Sequence, residues 1–287
     1  MYYSALIGNP TEHSVSHLLY EELLKAADVD IVYKHLKIDV QEQNLKESLT
    51  ALKGLNFCGI SVTLPHKLSV MQYLDEFDSI VEYLGAVNTV KVGKTLRGYN
   101  TDWYGIVQAI KQQAPKVELE NAVIFGTGGA ARAAIYAVKQ LGAKEIIVLY
   151  REEISDEKTT DLFQKAEGLG IKLLPYANVG EVVDEAQLVI NATSAGMIGK
   201  DPLPFPIKEL DGISLNNKIY FDAVFNPLET PLIKFFGSHG AVTVDGLWMM
   251  IYQGILALNI WLDKEIEITP ERLEHVHRIL EEELKNV

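Results

Sequence analysis

The segment that most constrains the fold is 121–132, NAVIFGTGGAAR. Its apolar run, 122–125, is typical of a buried parallel strand, and the glycines after it match the pattern G-x-G-x-x-G/A. A helical pattern follows over 130–141, and a second apolar strand over 144–151. Strand, glycine turn, helix and strand in this order form the context of a dinucleotide-binding turn. The segment therefore predicts a Rossmann-type unit, and the alternative is a tight turn with a purely structural role.

The small residues of this turn have separate expected uses. Gly126 permits the tight turn, and Gly128 lets the backbone approach a pyrophosphate because it carries no Cβ. Ala131 is small enough for the helix to lie close to the sheet. The free N–H groups of the helix N-terminus favour phosphate binding. The residues expected to bind the cofactor here are Gly126, Thr127, Gly128, Gly129 and Ala130.

Length and charge exclude several classes of function. A chain of 287 residues exceeds the usual size of a single core, so we expect two domains. The net charge of −13 argues against a nucleic-acid partner but allows an anionic small-molecule substrate in a locally basic cleft. The one cysteine, Cys58, lies in an apolar run and is expected to be inert. We see no secretion signal, membrane span or metal-ligand spacing, and we expect a cytoplasmic monomer or homodimer.

The order of elements predicts an α/β protein with a mixed, mostly parallel sheet in the first hundred residues. Strands are expected at 2–7, 31–38 and 58–64, and a hairpin at 87–99. Helices are expected at 15–27, 41–52 and 67–84. We place the first domain at 1–103 plus 245–287, with the C-terminal helices returning to it, and the dinucleotide-binding domain at 104–244.

Four groups of polar residues carry possible chemistry. Ser14 and Ser16 stand before a helix and can donate to a carboxylate, although helix capping is the simpler interpretation. Lys67 follows a strand that ends at a proline, where α/β sheets place ligands, but most lysines are merely solvated. Asp102 lies at the predicted domain junction and can pair with Lys67 or cap the next helix. The fourth group, 191–197, ends a strand and either lines a cofactor cleft or forms an ordinary turn.

Taken together, these segments resemble the shikimate dehydrogenase family, including its quinate/shikimate members. Eight family motifs occur in order and span nearly the whole chain, which makes chance agreement implausible. The matching segments are 8–16, 61–67, 85–89, 100–105, 126–133, 191–197, 222–232 and 246–254.

The resemblance implies a role for each matching position. Lys67 and Asp102 would be the catalytic pair of a reversible, NADPH-dependent reduction of 3-dehydroshikimate to shikimate. Ser14 and Ser16 would hold the substrate carboxylate. The remaining implied substrate-binding residues are Thr63, Asn88, Gln253 and Phe225. The remaining implied cofactor-binding residues are Arg151, Thr193, Ala223 and Gly246.

The chain also departs from the family pattern. His17 stands where proline is usual, Tyr20-Glu21 where His-Asn is usual, and Ser61 where asparagine is usual. Phe225 replaces a tyrosine, which removes one hydrogen bond worth ~0.5–1.5 kcal/mol. The catalytic pair is intact, so we expect an active enzyme.

The choice of cofactor is left open by the residues after the second Rossmann strand. Arg151 favours the 2′-phosphate of NADP, whereas Glu152 and Glu153 are poor neighbours for a dianion and leave NAD possible. A shikimate dehydrogenase using NADP is the preferred interpretation. The alternatives are a quinate/shikimate dehydrogenase using NAD, and a non-catalytic regulator that binds a dinucleotide on the same fold.

Overall fold

A computed structural model describes residues 1–115, 118–152 and 157–286. The chain divides into two compact units, the first formed by 1–102 and 251–287 and the second by 103–250. The sequence predicts the boundaries between these units after residue 103 and before residue 245, within six residues of those of the structure. Within the described ranges, no helix is long and apolar enough to cross a membrane.

Twelve strands and ten α-helices make up the described part of the two units. The strands are β1 Tyr2–Gly8, β2 Tyr33–Asp39, β3 Gly59–Val62, β4 Glu76–Phe77, β5 Thr89–Val92, β6 Leu96–Tyr99, β7 Asn121–Phe125, β8 Glu145–Tyr150, β9 Lys172–Pro175, β10 Leu188–Asn191, β11 Ile219–Asp222 and β12 Val242–Val244. The helices are α1 Ser16–Ala26, α2 Leu45–Gly54, α3 Ser79–Leu84, α4 Asp102–Gln113, α5 Gly129–Gln140, α6 Glu157–Leu169, α7 Val179–Glu185, α8 Pro231–Ser238, α9 Gly246–Leu262 and α10 Pro270–Leu284.

The sheet of the first unit has the order β2-β1-β3-β5-β6-β4 and is mixed, as the sequence predicted. Strand β1 is parallel to β2 and β3, and β4 is parallel to β6, whereas β5 runs antiparallel to β3 and β6. Apolar side chains of β1, β3 and β5 form a core with the inner face of α2, in which Ile7, Leu49 and Ile60 are almost completely buried. This packing covers one face of the central strands.

One predicted helix of the first unit was wrong. The segment 67–84 is not a continuous helix but a 3-10 turn, the short strand β4 and the helix α3. The break has a local cause, because Asp78 is extended and its carboxylate accepts a hydrogen bond from the Val81 N–H, which starts a new helix. Just before it, the Asp75 carboxylate accepts from the Leu96 N–H and secures the segment to the hairpin.

The second unit has a six-stranded sheet in the order β12-β11-β10-β7-β8-β9, and every pair is parallel. When β7 is counted as the first strand of this unit and the order is read from β9, it becomes the doubly wound order 3-2-1-4-5-6. The predicted Rossmann-type fold is therefore confirmed. Strands are added in one direction from β7 to β9 and in the opposite direction from β10 to β12, so the strand order switches between the neighbours β7 and β10. Ligands of open α/β sheets bind beyond the carboxyl ends of the strands at such a point. The sequence did not predict α7 or α8, although Thr230 followed by Pro231 is a typical helix start, and the Thr230 hydroxyl accepts from the Ile233 N–H.

Candidate active site

Topology brings the predicted substrate residues of the first unit to one edge of its sheet. Strands β1, β3 and β6 run in the same direction, so their carboxyl ends meet at the edge where β5, which is antiparallel, begins. The predicted residues that follow these strand ends or precede β5 are Ser14, Ser16, Thr63, Lys67, Asn88 and Asp102. The fold therefore gathers residues that lie far apart in the sequence.

Lys67 and Asp102 form an ion pair at this edge. The Lys67 Nζ lies 2.6 Å from the Asp102 Oδ2, and the two side chains are only 15% and 6% exposed. The backbone holds the lysine as well, because its carbonyl accepts a hydrogen bond from the Val87 N–H. The ammonium is thus fixed in place while part of its surface remains accessible, as the sequence interpretation of a ligand-facing lysine requires.

Asn88 holds the second oxygen of the Asp102 carboxylate. Its Nδ2 donates to the Asp102 Oδ1 at 2.7 Å, and its Oδ1 accepts from the Thr101 N–H at 2.7 Å. The helix-capping alternative for Asp102 does not describe these contacts, because Asn100 accepts the N–H of Asp102 and the Asp102 carboxylate binds Lys67 and Asn88. Both carboxylate oxygens are therefore engaged in directed contacts.

Gln253, which comes from α9, joins the same network. Its Oε1 lies 3.1 Å from the Thr101 Oγ1 and 3.4 Å from the Asn88 Nδ2. The sequence assigned Thr101 no role in the site, but its hydroxyl links Gln253 to Asn88 beside the ion pair. The sequence feature that could have indicated this role is the position of Thr101 just after β6 and directly before Asp102.

Ser14 and Ser16 lie at the start of α1. The Ser14 Oγ accepts the Ser16 N–H at 3.2 Å, a bond within a local turn, because the N-cap of α1 is Val15, whose side chain makes no capping hydrogen bond. The Ser16 side chain is buried, and its Oγ has no hydrogen-bond partner within the described part of the chain. A buried hydroxyl without a partner costs ~1–3 kcal/mol, which a bound anion would offset. Thr63 is half-buried beside Gly8, where an added Cβ would meet the Thr63 methyl.

The predicted cofactor turn of the second unit has the backbone that the sequence required. Gly126 has φ of +105°, and a Cβ there would lie 2.9 Å from the Thr193 Cγ2. Gly128 is the N-cap of α5, and a Cβ placed on it would meet no atom within 4 Å. Ala131 lies on the buried face of α5 and is completely buried. Gly128 thus borders an open space at the N-terminus of α5, whereas Gly129 next to it is buried. The Thr127 hydroxyl forms a hydrogen bond with that of Thr159 at 3.0 Å.

Three further predicted cofactor residues follow the neighbouring strands. Thr193 comes after β10, and its Oγ1 donates to the Asn191 Oδ1 at 2.7 Å. Ala223 follows β11, and its N–H donates to the carbonyl of Asn191. Gly246 begins α9, where a Cβ would lie 2.7 Å from the carbonyl oxygen of Ala223, so only glycine fits there. These contacts draw the ends of the two strands together.

Asp222 organises this region and was not singled out by the sequence interpretation. It is completely buried, and its two carboxylate oxygens accept hydrogen bonds from three side chains and one backbone N–H. The donors are Asn191, Tyr220, Thr230 and the backbone of Val224. Burial raises the pKa of the Asp222 carboxyl to about 6. The sequence does carry a signal for Asp222, since it is an acidic residue that directly follows the apolar run 219–221.

The two remaining predicted residues also belong to the second unit. Arg151 follows β8, is 37% exposed and places its Nη2 3.6 Å from an Asp201 carboxylate oxygen. Glu152 beside it is exposed, and Glu153 lies outside the described residues. Phe225 is half-buried in the loop after β11 and so does not belong to the unit that holds the other predicted substrate residues.

Comparison with known proteins gives consistent matches. The model of the shikimate dehydrogenase substrate binding domain matches residues 6–90. A shikimate dehydrogenase (NADP(+)) of Methanosphaera stadtmanae is 35% identical over 263 residues, which cover 91% of this chain and 91% of the relative. A crystal structure of a shikimate dehydrogenase in complex with NADP+ has a TM-score of 0.83 at 33% identity and covers 98% of this chain and 96% of its own.

A structure of a quinate dehydrogenase from Corynebacterium glutamicum in complex with NAD also matches. Its TM-score is 0.81 at 26% identity, and the match covers 97% of this chain and 98% of that one. The fold is thus shared by proteins with different named substrates and cofactors. On the extent and identity of these matches, the chain belongs to the shikimate dehydrogenase family.

Proposed function

We propose that this protein is an NADP-dependent dehydrogenase that interconverts 3-dehydroshikimate and shikimate. The observation that carries the proposal is the ion pair of Lys67 and Asp102, which Asn88 braces at the ligand-binding edge of its sheet. Membership of the family supports the same reaction, because the similar protein of Methanosphaera stadtmanae is named shikimate dehydrogenase (NADP(+)).

The chemistry of the pair suits reduction of a ketone. Bound NADPH would supply the hydride to the carbonyl carbon. The Lys67 ammonium would then donate a proton to the developing alkoxide or stabilise its negative charge. Asp102 would orient the ammonium, since its Oδ2 lies 2.6 Å from the Lys67 Nζ and its other oxygen is held by Asn88.

The other residues at this edge would bind the substrate. The hydroxyls of Ser14 and Ser16 would donate to the carboxylate, and the buried Ser16 hydroxyl supports this role because it has no protein partner within the described residues. Thr63, Asn88 and Gln253 would bind the ring hydroxyls. The family resemblance also implies a substrate-binding role for Phe225, which belongs to the second unit and lacks the hydroxyl of a tyrosine.

The glycine turn of the second unit fits a dinucleotide. The space that a Cβ on Gly128 would enter is open, and the N-terminus of α5 offers N–H groups to a pyrophosphate. Residues 126–130 would bind the phosphates, and Thr193, Ala223 and Gly246 would border the rest of the cofactor. Arg151 would pair with the 2′-phosphate of NADP, because its present partner, Asp201, is 73% exposed and 3.6 Å away.

Steady-state kinetics with two substrates and two cofactors tests the proposal. Purified protein is mixed with shikimate or quinate and with NADP+ or NAD+, and formation of the reduced nicotinamide is followed by absorbance. We expect the highest kcat/KM for shikimate with NADP+. Comparable turnover of quinate with NAD+ would favour the alternative of a quinate/shikimate dehydrogenase using NAD, for which the similar quinate dehydrogenase structure is a precedent. Absence of turnover with every pair would contradict both enzymes and favour the non-catalytic regulator.

A further inference from the structure

Tyr20 is a buried aromatic residue that the proposed reaction does not use. It lies on the inner face of α1 and is only 1% exposed. Its ring centroid is 4.4 Å from that of His35 and 5.1 Å from that of Trp261. The Trp261 Nε1 donates to the carbonyl of Val90, so this aromatic cluster is joined to the sheet. The cluster therefore fixes the direction in which the Tyr20 hydroxyl points.

The Tyr20 hydroxyl bridges two residues at the edge of the sheet where the carboxyl ends of β1, β3 and β6 meet. It lies 3.0 Å from the Oγ of Ser61, the last residue but one of β3, and it also hydrogen-bonds the side chain of Gln253. Burial raises the pKa of Tyr20, so the phenol keeps its hydrogen and acts as a donor as well as an acceptor.

The contacts of Gln253 set the direction of the hydrogen bonds. Its Oε1 faces Thr101 and Asn88, so its NH2 group is the part left to donate to the Tyr20 oxygen. Tyr20 then gives its own hydrogen to Ser61. A continuous path of hydrogen bonds thus runs from Ser61 through Tyr20 and Gln253 to Asn88, which holds Asp102.

We propose that Tyr20 and Ser61 are positioning residues that together fix the Gln253 side chain for recognition of the substrate's ring hydroxyls. The inference rests on the proposed dehydrogenase function and adds a specificity device to the same site. Side chains that are held in one orientation bind with a smaller loss of entropy, so a fixed amide lowers KM. Tyr20 and Ser61 are both positions where the sequence departs from the family pattern, and here they contact each other.

The test compares two tyrosine-to-phenylalanine variants within one cluster. Tyr20→Phe removes the hydroxyl but keeps the ring against His35 and Trp261. Tyr33→Phe is the matched control, because the Tyr33 hydroxyl bonds Ser4 instead, 2.6 Å away. We expect Tyr20→Phe to raise KM for shikimate about tenfold, as loss of one well-placed hydrogen bond does, with kcat and KM for NADP+ nearly unchanged. Tyr33→Phe should leave all three parameters unchanged.

Ser61→Ala supplies a second, independent measurement. If the two hydroxyls act together, Ser61→Ala should raise KM for shikimate, and the double variant should be no worse than the more affected single variant. Ser61→Ala carries the test alone if Tyr20→Phe does not fold. Thermal unfolding of every variant reports whether the fold is intact.

The outcomes separate this inference from the proposed function. If the wild-type protein oxidises shikimate and neither Tyr20→Phe nor Ser61→Ala raises KM, the positioning role is wrong and the function stands. Equal increases of KM in Tyr20→Phe and Tyr33→Phe would show a general packing effect and also overturn the role. Absence of wild-type turnover would instead contradict the proposed function, and the inference would be rejected with it.

Discussion

The Asp102 carboxylate is shared between two donors, Lys67 at 2.6 Å from one oxygen and Asn88 at 2.7 Å from the other. The two partners differ in kind, since one carries a charge and a transferable proton and the other is a neutral amide. The amide fixes the carboxylate, and the carboxylate fixes the ammonium. In the proposed reaction, Lys67 would move the proton, and Asp102 and Asn88 would hold that lysine in position.

Removal of the ammonium should therefore slow the chemical step rather than weaken substrate binding. We expect Lys67→Ala to lower kcat by a factor on the order of 10²–10⁴, the usual contribution of a general acid, with little change in KM for shikimate. Lys53→Ala is the control, because Lys53 in the same unit also faces a carboxylate, Asp75, at 3.5 Å. Steady-state kinetics measures both, and a Lys67→Ala enzyme with nearly wild-type kcat would exclude the proton-donor role.

The placement of the pair was predictable from the sequence, but its contacts were not. A lysine just after a strand and an aspartate before a helix are both visible in the pattern, because strand ends and helix starts have local signals. Whether the Asp102 carboxylate caps its helix or binds Lys67 depends on two asparagines. Asn100 accepts the Asp102 N–H, and Asn88 donates to the carboxylate oxygen that Lys67 does not bind. Such a choice between partners is made by tertiary packing, which periodicity does not report.

Gly126 and Gly128 should respond in opposite ways to an added methyl group. Gly128→Ala should leave thermal stability almost unchanged, because φ is −79° and no atom lies within 4 Å of the new Cβ. It should raise KM for the cofactor, since the methyl enters the space proposed for the pyrophosphate. Gly126→Ala should instead destabilise the protein by about 1–3 kcal/mol, because φ is +105° and the Thr193 methyl is in the way.

Thermal unfolding and cofactor titration distinguish the two variants. Each variant serves as the control of the other, since both lie in one turn and gain the same atom. A Gly128→Ala protein that is stable and binds the cofactor as tightly as the wild type would contradict the proposed place of the pyrophosphate.

Arg151 and Glu152 should act on cofactor choice in opposite directions. We expect Arg151→Ala to raise KM for NADPH about tenfold or more and KM for NADH only slightly, because only NADPH carries the 2′-phosphate. Glu152→Ala should lower KM for NADPH, since it removes an exposed negative charge beside the arginine. Lys165→Ala is the control, a cation of the same unit that is paired with Asp161. Equal effects of Arg151→Ala on both cofactors would remove it from recognition of the 2′-phosphate.

The parts of the fold that the sequence missed are short elements with mixed signals. The spacing of apolar residues over 67–84 fits a helix. The segment is nevertheless interrupted, because the Asp75 carboxylate accepts the Leu96 N–H and the Asp78 carboxylate accepts the Val81 N–H. Strand β4 has two residues, too few for any alternation to be visible. The doubly wound sheet was predictable because its strands are continuous apolar runs separated by helices, which is a long-range and redundant pattern.

His35 makes the first unit sensitive to acid. It is 7% exposed, its Nδ1 lies 2.6 Å from the Ser4 Oγ, and its ring is packed against Tyr20. Burial, together with the nearby His17, lowers the pKa of His35 from 6.5 to about 3. Between those two values the unfolded chain binds a proton that the folded chain does not, so stability falls as the pH falls through this window.

Replacement of this histidine should remove that part of the pH dependence. We expect the free energy of unfolding of wild type relative to His35→Gln to decrease by about 1.4 kcal/mol for each pH unit below the unfolded pKa. Urea unfolding at several pH values measures the difference. His13→Gln is the control, because the His13 side chain is 62% exposed and should not change the slope. If wild type and His35→Gln lose stability in parallel as the pH falls from neutral, His35 is not held neutral by its burial, and the acid sensitivity of the unit has another origin.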